Sequence, residues 1–347
     1  MIAHVALLSA ALLAGTGPAG AQTATLRAAP EVSMPATADS NSPAHWDGET
    51  LYVFNSWNHP SRSGGRDVFT LGPPQPIRFV PEDPSIGNRW IEATWPDPDG
   101  TLYGWYHNEP KGLCPGSEAR TQYGLTSPRI GAVRSRDNGA TWQDLGLILT
   151  APPGSLDCQA ANGYFAGGHG DFSVMLDAGR EWLYLFFGNY AGDAVTQGVA
   201  VARMRWADRA APVGRVWKHH AGGWAEPGVG GRTTPIHPVT VAWQRPDTDA
   251  FWGPSVHWNT HLERYVMLLN RSCCRPEWPQ EGVYISFAAD LARPASWSPP
   301  RLLHRGGEWY PQVMGLDRQK RETDKLAGAV ARFFMHGRSL HEIVFSP

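Results

Sequence analysis

Five short apolar segments of similar make-up recur along the chain: Leu51-Tyr52-Val53-Phe54, Leu102-Tyr103-Gly104-Trp105-Tyr106, Leu183-Tyr184-Leu185-Phe186-Phe187, Tyr265-Val266-Met267-Leu268-Leu269 and Val330-Ala331-Arg332-Phe333-Phe334. Their β-branched and aromatic content favours strands. The segments start 51, 81, 82 and 65 residues apart, a spacing suited to four-stranded units carrying loop insertions. A second candidate strand precedes each one, at 43–46, 91–95, 171–176, 254–258 and 310–315. The turns between include Asp47-Gly48, Asp97-Pro98-Asp99-Gly100 and Asp177-Ala178-Gly179, which is hairpin chemistry. Third strands, polar loops and a Trp follow in several units, as in 133–142, 199–217 and 283–297. Strand, turn, strand, loop, strand, turn, strand, five times over, predicts an all-β fold, a five-bladed β-propeller. A β-sandwich with long loops is the competing arrangement. With 38 Gly and 30 Pro in 347 residues long helices are disfavoured, and 16 Trp with only 18% charged residues argue for a packed core.

The propeller is expected to occupy residues 39–347, with 22–38 as an N-terminal linker. Before it, the ten-residue apolar run Val5–Ala14 and the small-x-small sequence Ala19-Gly20-Ala21 read as a signal peptide over 1–21. The run is too short to span a bilayer as a helix. These features predict a secreted or periplasmic protein with no membrane association after cleavage. A net charge of −2 argues against nucleic acid as a partner. Four cysteines, Cys114, Cys158, Cys273 and Cys274, suggest disulfides in an exported chain. A zinc site is the alternative, without a C-x-x-C pair to support it. Neighbouring cysteines across a trans peptide sit about 3.8 Å apart at Cα, closer than disulfides prefer, so bridges from Cys273 and Cys274 to Cys114 and Cys158 are expected.

Propeller topology places the starts of the inner strands and the loops joining second to third strands on one rim. That rim holds Asp39, Asn41, Glu92, Asp171, His257, Tyr310 and Gln312 from inner strands. The loops add Asn55, Trp57, His59, Arg66, His107, Asn108, Glu109, Asn189, Tyr190, Asn270, Arg271, Trp278 and Glu281. Such a mixture of carboxylates, imidazoles and aromatic rings suits a carbohydrate, and glycoside hydrolysis needs two carboxyl groups, or substitutes, flanking the bond.

Two resemblances bear on this. Ser135-Arg136-Asp137-Asn138-Gly139-Ala140-Thr141-Trp142 resembles the Asp-box of sialidase-type propellers, a fold marker rather than a catalytic motif. Ser286-Phe287-Ala288-Ala289-Asp290-Leu291 with Trp297 resembles the looser blade ending of five-bladed glycoside hydrolases. With the five-unit pattern and the funnel acids, the chain resembles the group containing arabinanases, β-xylosidases, invertases and neoagarobiose hydrolases. That resemblance implies a blade-one Asp as general base, a later Asp that orients the acid and tunes its pKa, and usually a Glu as acid. Asp171 in His169-Gly170-Asp171-Phe172-Ser173 matches the third-blade Asp, Asp39 or Asn41 lies near the first-blade position, and the fourth blade offers His257 in place of a carboxylate.

The expected catalytic set is therefore Asp171, Glu92, Glu109 and His257. The expected substrate-binding set is Asn55, His59, Arg66, His107, Asn189, Tyr190, Asn270, Arg271, Trp278, Tyr310 and Gln312. No cofactor is required by this chemistry, although the resemblance leaves room for a structural calcium ion. The expectation is a secreted glycoside hydrolase acting on a poly- or oligosaccharide, by inversion. A non-catalytic carbohydrate-binding propeller and a sialidase are the alternatives. Sugar, linkage and oligomeric state are open.

Overall fold

The computed structural model describes residues 22–347 except Asn58, Gln122, Tyr123 and Pro276; the expected signal peptide lies outside the described residues. Five sheets, antiparallel but for two short parallel pairings, follow one another along the chain as five blades. Their inner strands are Ala44–Asp47, Asn88–Pro96, His169–Leu176, Asp249–Asn259 and Gln312–Gly315 for blades I to V. Each pairs with the apolar segment that marked its unit: Thr50–Asn55, Leu102–Glu109, Trp182–Asn189, Arg264–Cys273 and Val330–Met335.

Residues 22–38 are not a linker. Thr23–Ser33 is the outermost strand of blade V, paired antiparallel with Arg338–Ser346, so the two ends of the described chain close the ring together. Its inward positions Ala24 and Leu26 pack on the core between blades IV and V. They are too small and too few to stand out as a strand pattern. The ring is also locked near its centre. Gln312 accepts from the Ser42 amide at 2.6 Å and donates to the Ser42 carbonyl at 3.0 Å, joining blade V to the chain entering blade I.

The apolar core is divided among the blade interfaces. Separate clusters lie between I and II (Phe54, Ile91, Trp142), II and III (Trp105, Phe172, Leu185), III and IV (Phe186, Met267, Trp297), IV and V (Leu268, Val313, Phe333) and V and I (Val53, Met314, Phe334). Trp142 shows why a Trp ends its hairpin. It is fully buried, and Gly139, at φ +78°, passes so close to Phe54 and Trp142 that a Cβ would collide with both rings. Asp137 organises the turn, accepting from the Thr141 amide at 2.9 Å and the Thr141 hydroxyl at 2.7 Å.

The cysteines pair otherwise than expected. Cys114, on the loop leaving Leu102–Glu109, is bonded to Cys158 on the connection to blade III, and Cys273 is bonded to Cys274. The expectation assumed a trans Cys273–Cys274 peptide. That bond is cis, and Cys114 and Cys158 lie with their Cα atoms 5.3 Å apart, inside the range disulfides prefer. The long bridge spans 44 residues, so the double variant Cys114→Ser/Cys158→Ser should lose about 2–4 kcal/mol in urea unfolding. An unchanged midpoint would show that these loops are held by other contacts.

Candidate active site

At one end of the ring the inner strands of blades II to IV each contain an irregularity. In blades II and III pairing skips Glu92 and Asp171, and in blade IV it skips Gly253 and Pro254. A bulged residue loses its cross-strand partner and is turned out of the pleat. Asp171 is held at φ +47°, a left-handed conformation that Asp tolerates better than most residues. Tyr310 at +57° and Trp278 at +51° share that region of backbone space, so three residues around one opening hold a conformation that costs about 1–3 kcal/mol each.

The bulges converge on His107, from the second strand of blade II. Its Nδ1 lies 3.2 Å from Glu92 Oε1 and 3.9 Å from Asp171 Oδ1, and its Nε2 lies 3.3 Å from Glu109 Oε1. The Asp171 amide is also 3.1 Å from Nδ1. One nitrogen cannot donate to a carboxylate and accept from an amide at the same moment, so only one of these two contacts is a hydrogen bond in a given protonation state of the ring. Burial alone would push the imidazole down. Contacts with Glu109 and Glu92, and then the Asp171 charge, outweigh burial and hold His107 well above its usual range. Glu92 is anchored from behind, its Oε2 accepting from the Phe172 amide at 2.7 Å. The Tyr190 hydroxyl donates to Asp171 Oδ2.

Burial, against the pull of His107, raises the Asp171 carboxyl to about 7. Asp39, immediately before blade I, completes the group. It is raised to about 7 by burial and by the Glu109 charge, and accepts from the Tyr310 hydroxyl at 3.4 Å. The acids differ in access: Glu92 and Asp171 are buried, whereas Asp39 and Glu109 are partly exposed. A floor lies beneath them, where Asn41 donates to the carbonyls of Phe172 (3.0 Å) and Pro254 (3.1 Å) and so ties blade I to blades III and IV.

One side of the opening is an aromatic wall. Tyr190 packs on Phe165 at 4.8 Å and Trp243 at 5.0 Å, Trp243 lies 4.3 Å from Trp278, and Trp252 lies 5.5 Å from Trp309. Tyr164 and Trp309 form its half-buried edge, with ring centroids 6.1 Å apart. Phe165 also approaches His107 to 6.4 Å, so wall and acids border one space.

Of the expected residues, Asp171, Glu92, Glu109, His107, Tyr190 and Tyr310 are brought together here, and Trp278 belongs to the wall. The others are elsewhere or already engaged. His257 is sealed between blades IV and V, 5.5 Å from the Phe345 ring, and burial pulls it down to about 3; a neutral ring so enclosed does not reach the acids. Asn55 bonds Ser42, Asn189 bonds the Thr196 carbonyl, and Asn270 accepts from Gln280. Arg271 is clamped by Asp249 at 2.9 Å, and Gln312 serves ring closure. His59 and Arg66 are exposed on blade I. Asp39 stood on the rim by topology but not among the expected catalytic acids. Tyr164, Phe165, Trp243, Trp252 and Trp309 were missed: most lie on connections between blades, where strand periodicity carries no signal.

Glu92, His107 and Asp171 bring possible metal-binding atoms within 4.8 Å of one another. They do not make a calcium cage, which takes about six to eight oxygens, because Glu92 Oε2 and Asp171 Oδ2 are already bonded to Phe172 and Tyr190. Asp249 also lies beside Cys273 and Cys274, whose sulfurs are joined to each other and offer no thiolate.

No family model and no curated protein matches the chain. Solved structures do. The chain is similar to an endo-arabinase from Bacteroides thetaiotaomicron, with 11% identity, a TM-score of 0.51, and coverage of 91% of this chain and 96% of that one. It is similar to an exo-1,5-α-L-arabinanase from a bovine ruminal metagenomic library, with 10% identity, a TM-score of 0.51 and coverage of 89% and 92%. A putative exo-β-1,3-galactanase from Bifidobacterium bifidum gives 15% identity, a TM-score of 0.50 and coverage of 89% and 87%. At these identities the likeness concerns the fold: this is a five-bladed β-propeller of the architecture found in those proteins.

Proposed function

We propose that this protein is an exported glycoside hydrolase that cleaves a poly- or oligosaccharide by general acid–base catalysis. The observation that carries the reading is the convergence of Asp39, Glu92, Glu109 and Asp171 around His107 beside an aromatic wall. A structural acid cluster would be expected to bury or neutralise all its members. Here two carboxyl groups reach solvent, and one of these, Asp39, exchanges its proton near pH 7.

In the proposed mechanism Asp39 protonates the leaving oxygen and Glu109 activates water. A carboxyl raised to about 7 suits a proton donor at neutral pH. Glu109 faces the positive His107 ring and open solvent, which suits a base. Glu92 and Asp171 lie behind, too buried and too close together to flank a sugar with a water between them. They hold His107 and, through it, the position of Glu109. The half-exposed rings of Tyr164 and Trp309 supply apolar faces for sugar rings. Export is supported by the Cys114–Cys158 disulfide, and no helix among the described residues is long and apolar enough to cross a membrane.

The sialidase reading is disfavoured because it needs a cluster of arginines free to hold a substrate carboxylate, whereas Arg129 donates to Asn108 and Arg271 to Asp249. The test is a panel of plant, algal and bacterial glycans, with reducing-sugar release measured and the first-formed anomer followed by NMR. Release with inverted configuration is the expected result. Release with retention would replace the Asp39–Glu109 pair by a nucleophile mechanism, and binding without turnover would make the protein a carbohydrate-binding propeller.

A further inference from the structure

Blade II runs into blade III through residues 150–168, which hold no strand or helix of their own. Connections longer than about 12–15 residues without such elements are uncommon in compact domains and are often functional. This one reaches the acid cluster near its far end. Phe165 lies 6.4 Å from the His107 ring and 6.4 Å from the Tyr164 ring, so Tyr164 joins the acids through Phe165 as the next ring outward. Phe165 is buried, whereas Tyr164 is half-exposed.

Three devices hold the connection in place. At its neck is Lys218, fully buried in blade III. Its Nζ donates to the Thr150 carbonyl at 2.7 Å, where the connection begins, and to His169 Nε2 at 2.8 Å, where it ends. A third bond, to the Gly231 carbonyl at 2.6 Å, fixes both ends to blade III. An ammonium has three donors, and each is used. At the side of the connection, Cys158 is bonded to Cys114 on the loop that follows Glu109. Cys114, Leu125, Ala160 and Ala166 form a small apolar core of their own around this bridge. Beside it, the Thr126 amide donates to the Tyr164 carbonyl at 3.1 Å and the Ala166 amide to the Thr126 carbonyl at 2.7 Å. At the tip, Asn162 Oδ1 accepts from the amides of Tyr164 and Phe165, both at 2.8 Å. The backbone that carries the two rings is therefore set before any ligand arrives, which lowers the ordering cost of binding.

From the neck clamp, the side staple and the outward ring, we propose that residues 150–168 are a fixed strap that selects oligosaccharides over simple glycosides by stacking Tyr164 on the sugar unit next to the one being cleaved. Lys218 and the Cys114–Cys158 bridge act as positioning groups for that ring. A sugar ring has an apolar face suited to such a contact. The inference rests on the hydrolase reading for the cleaved bond, while its binding half is measurable without turnover.

The test is isothermal titration in an Asp39→Asn background, to suppress turnover, with arabinotriose, galactotriose, xylotriose and cellotriose as probes. Burial lowers the Lys218 amine to about 7, so the titrations belong at about pH 6, where it carries all three protons. At least one trisaccharide should bind, and Tyr164→Ala should weaken that binding about tenfold. Cys114→Ser/Cys158→Ser, kept below its unfolding transition, should weaken it about three- to tenfold, because the ligand must then order the strap. Lys218→Met should act likewise, with faster amide exchange confined to 150–168; if that variant does not fold, the cysteine pair decides alone. On the glycan found in the panel, the cysteine pair should raise KM by the same factor and leave kcat nearly unchanged. Binding indifferent to Tyr164→Ala, or no binding of any of the four sugars, would overturn the strap. A cysteine pair that lowers kcat at constant KM would overturn it too, making the connection a support of the acid cluster. Binding that follows these variants in a protein that releases no sugar from any glycan would uphold the strap as a binding element and remove the hydrolase reading alone.

Discussion

Asp39→Asn is expected to lower kcat about 10²–10⁴-fold with little change in saccharide binding. Asn preserves the shape of the side chain and an acceptor for the Tyr310 hydroxyl, and Asp39 is partly exposed, so the fold should survive. What is lost is the proton that a carboxyl raised to about 7 carries at working pH. The sign of the pH dependence follows. A general acid must be protonated, so wild-type kcat should fall as pH rises through about 7, and that alkaline limb should be absent from the residual activity of the variant. Steady-state kinetics on the glycan found in the panel, from pH 5 to 9, measures both. A variant with wild-type kcat would remove Asp39 from the chemistry. A large rise in KM at constant kcat would make it a binding residue instead.

How far these residues could be read in advance depended on where they lie. Strands announced themselves because Leu183–Phe187 and its counterparts fill interfaces buried on both sides, which demands continuous large apolar side chains. Glu92 and Asp171 were legible for the opposite reason: a carboxylate in the midst of an apolar inner strand has no structural excuse unless it is aimed into the funnel. Thr23–Ser33 was not legible, since a strand at the outer edge sets only a few residues, Ala24, Leu26 and Val32, against the core. His257 misled because successive residues of an inner strand face opposite blade interfaces, and His257 falls on the side of Val266 and Phe345 between blades IV and V while Val256 faces the other way. The aromatic wall escaped because Phe165 and Trp243 meet only after the ring has closed. The register shifts at Glu92 and Asp171 likewise emerge only once the strands are paired.

The same cluster should display a conflict between stability and activity. Asp171→Asn is expected to raise stability by about 1–3 kcal/mol at pH 8 while lowering kcat at least about tenfold. The folded carboxyl titrates at about 7 against an ordinary 3.8, so between those values the native state holds a proton that the unfolded chain has released. Stability therefore falls as pH rises through this window, and above about 7 the whole cost of a buried carboxylate is present. Asn removes that cost, tolerates the positive φ at this position and still accepts from Tyr190. Part of the gain is offset because His107 loses one of its three carboxylate neighbours. The advantage of the variant should thus be largest above pH 7 and disappear by about pH 4, as urea unfolding at several pH values would show. A variant less stable than the wild type at pH 8 would mean that the Asp171 charge holds the cluster together rather than straining it. The bulge that exposes this carboxyl to His107 would then be a structural joint, and the proton chemistry would rest on Asp39 and Glu109 alone.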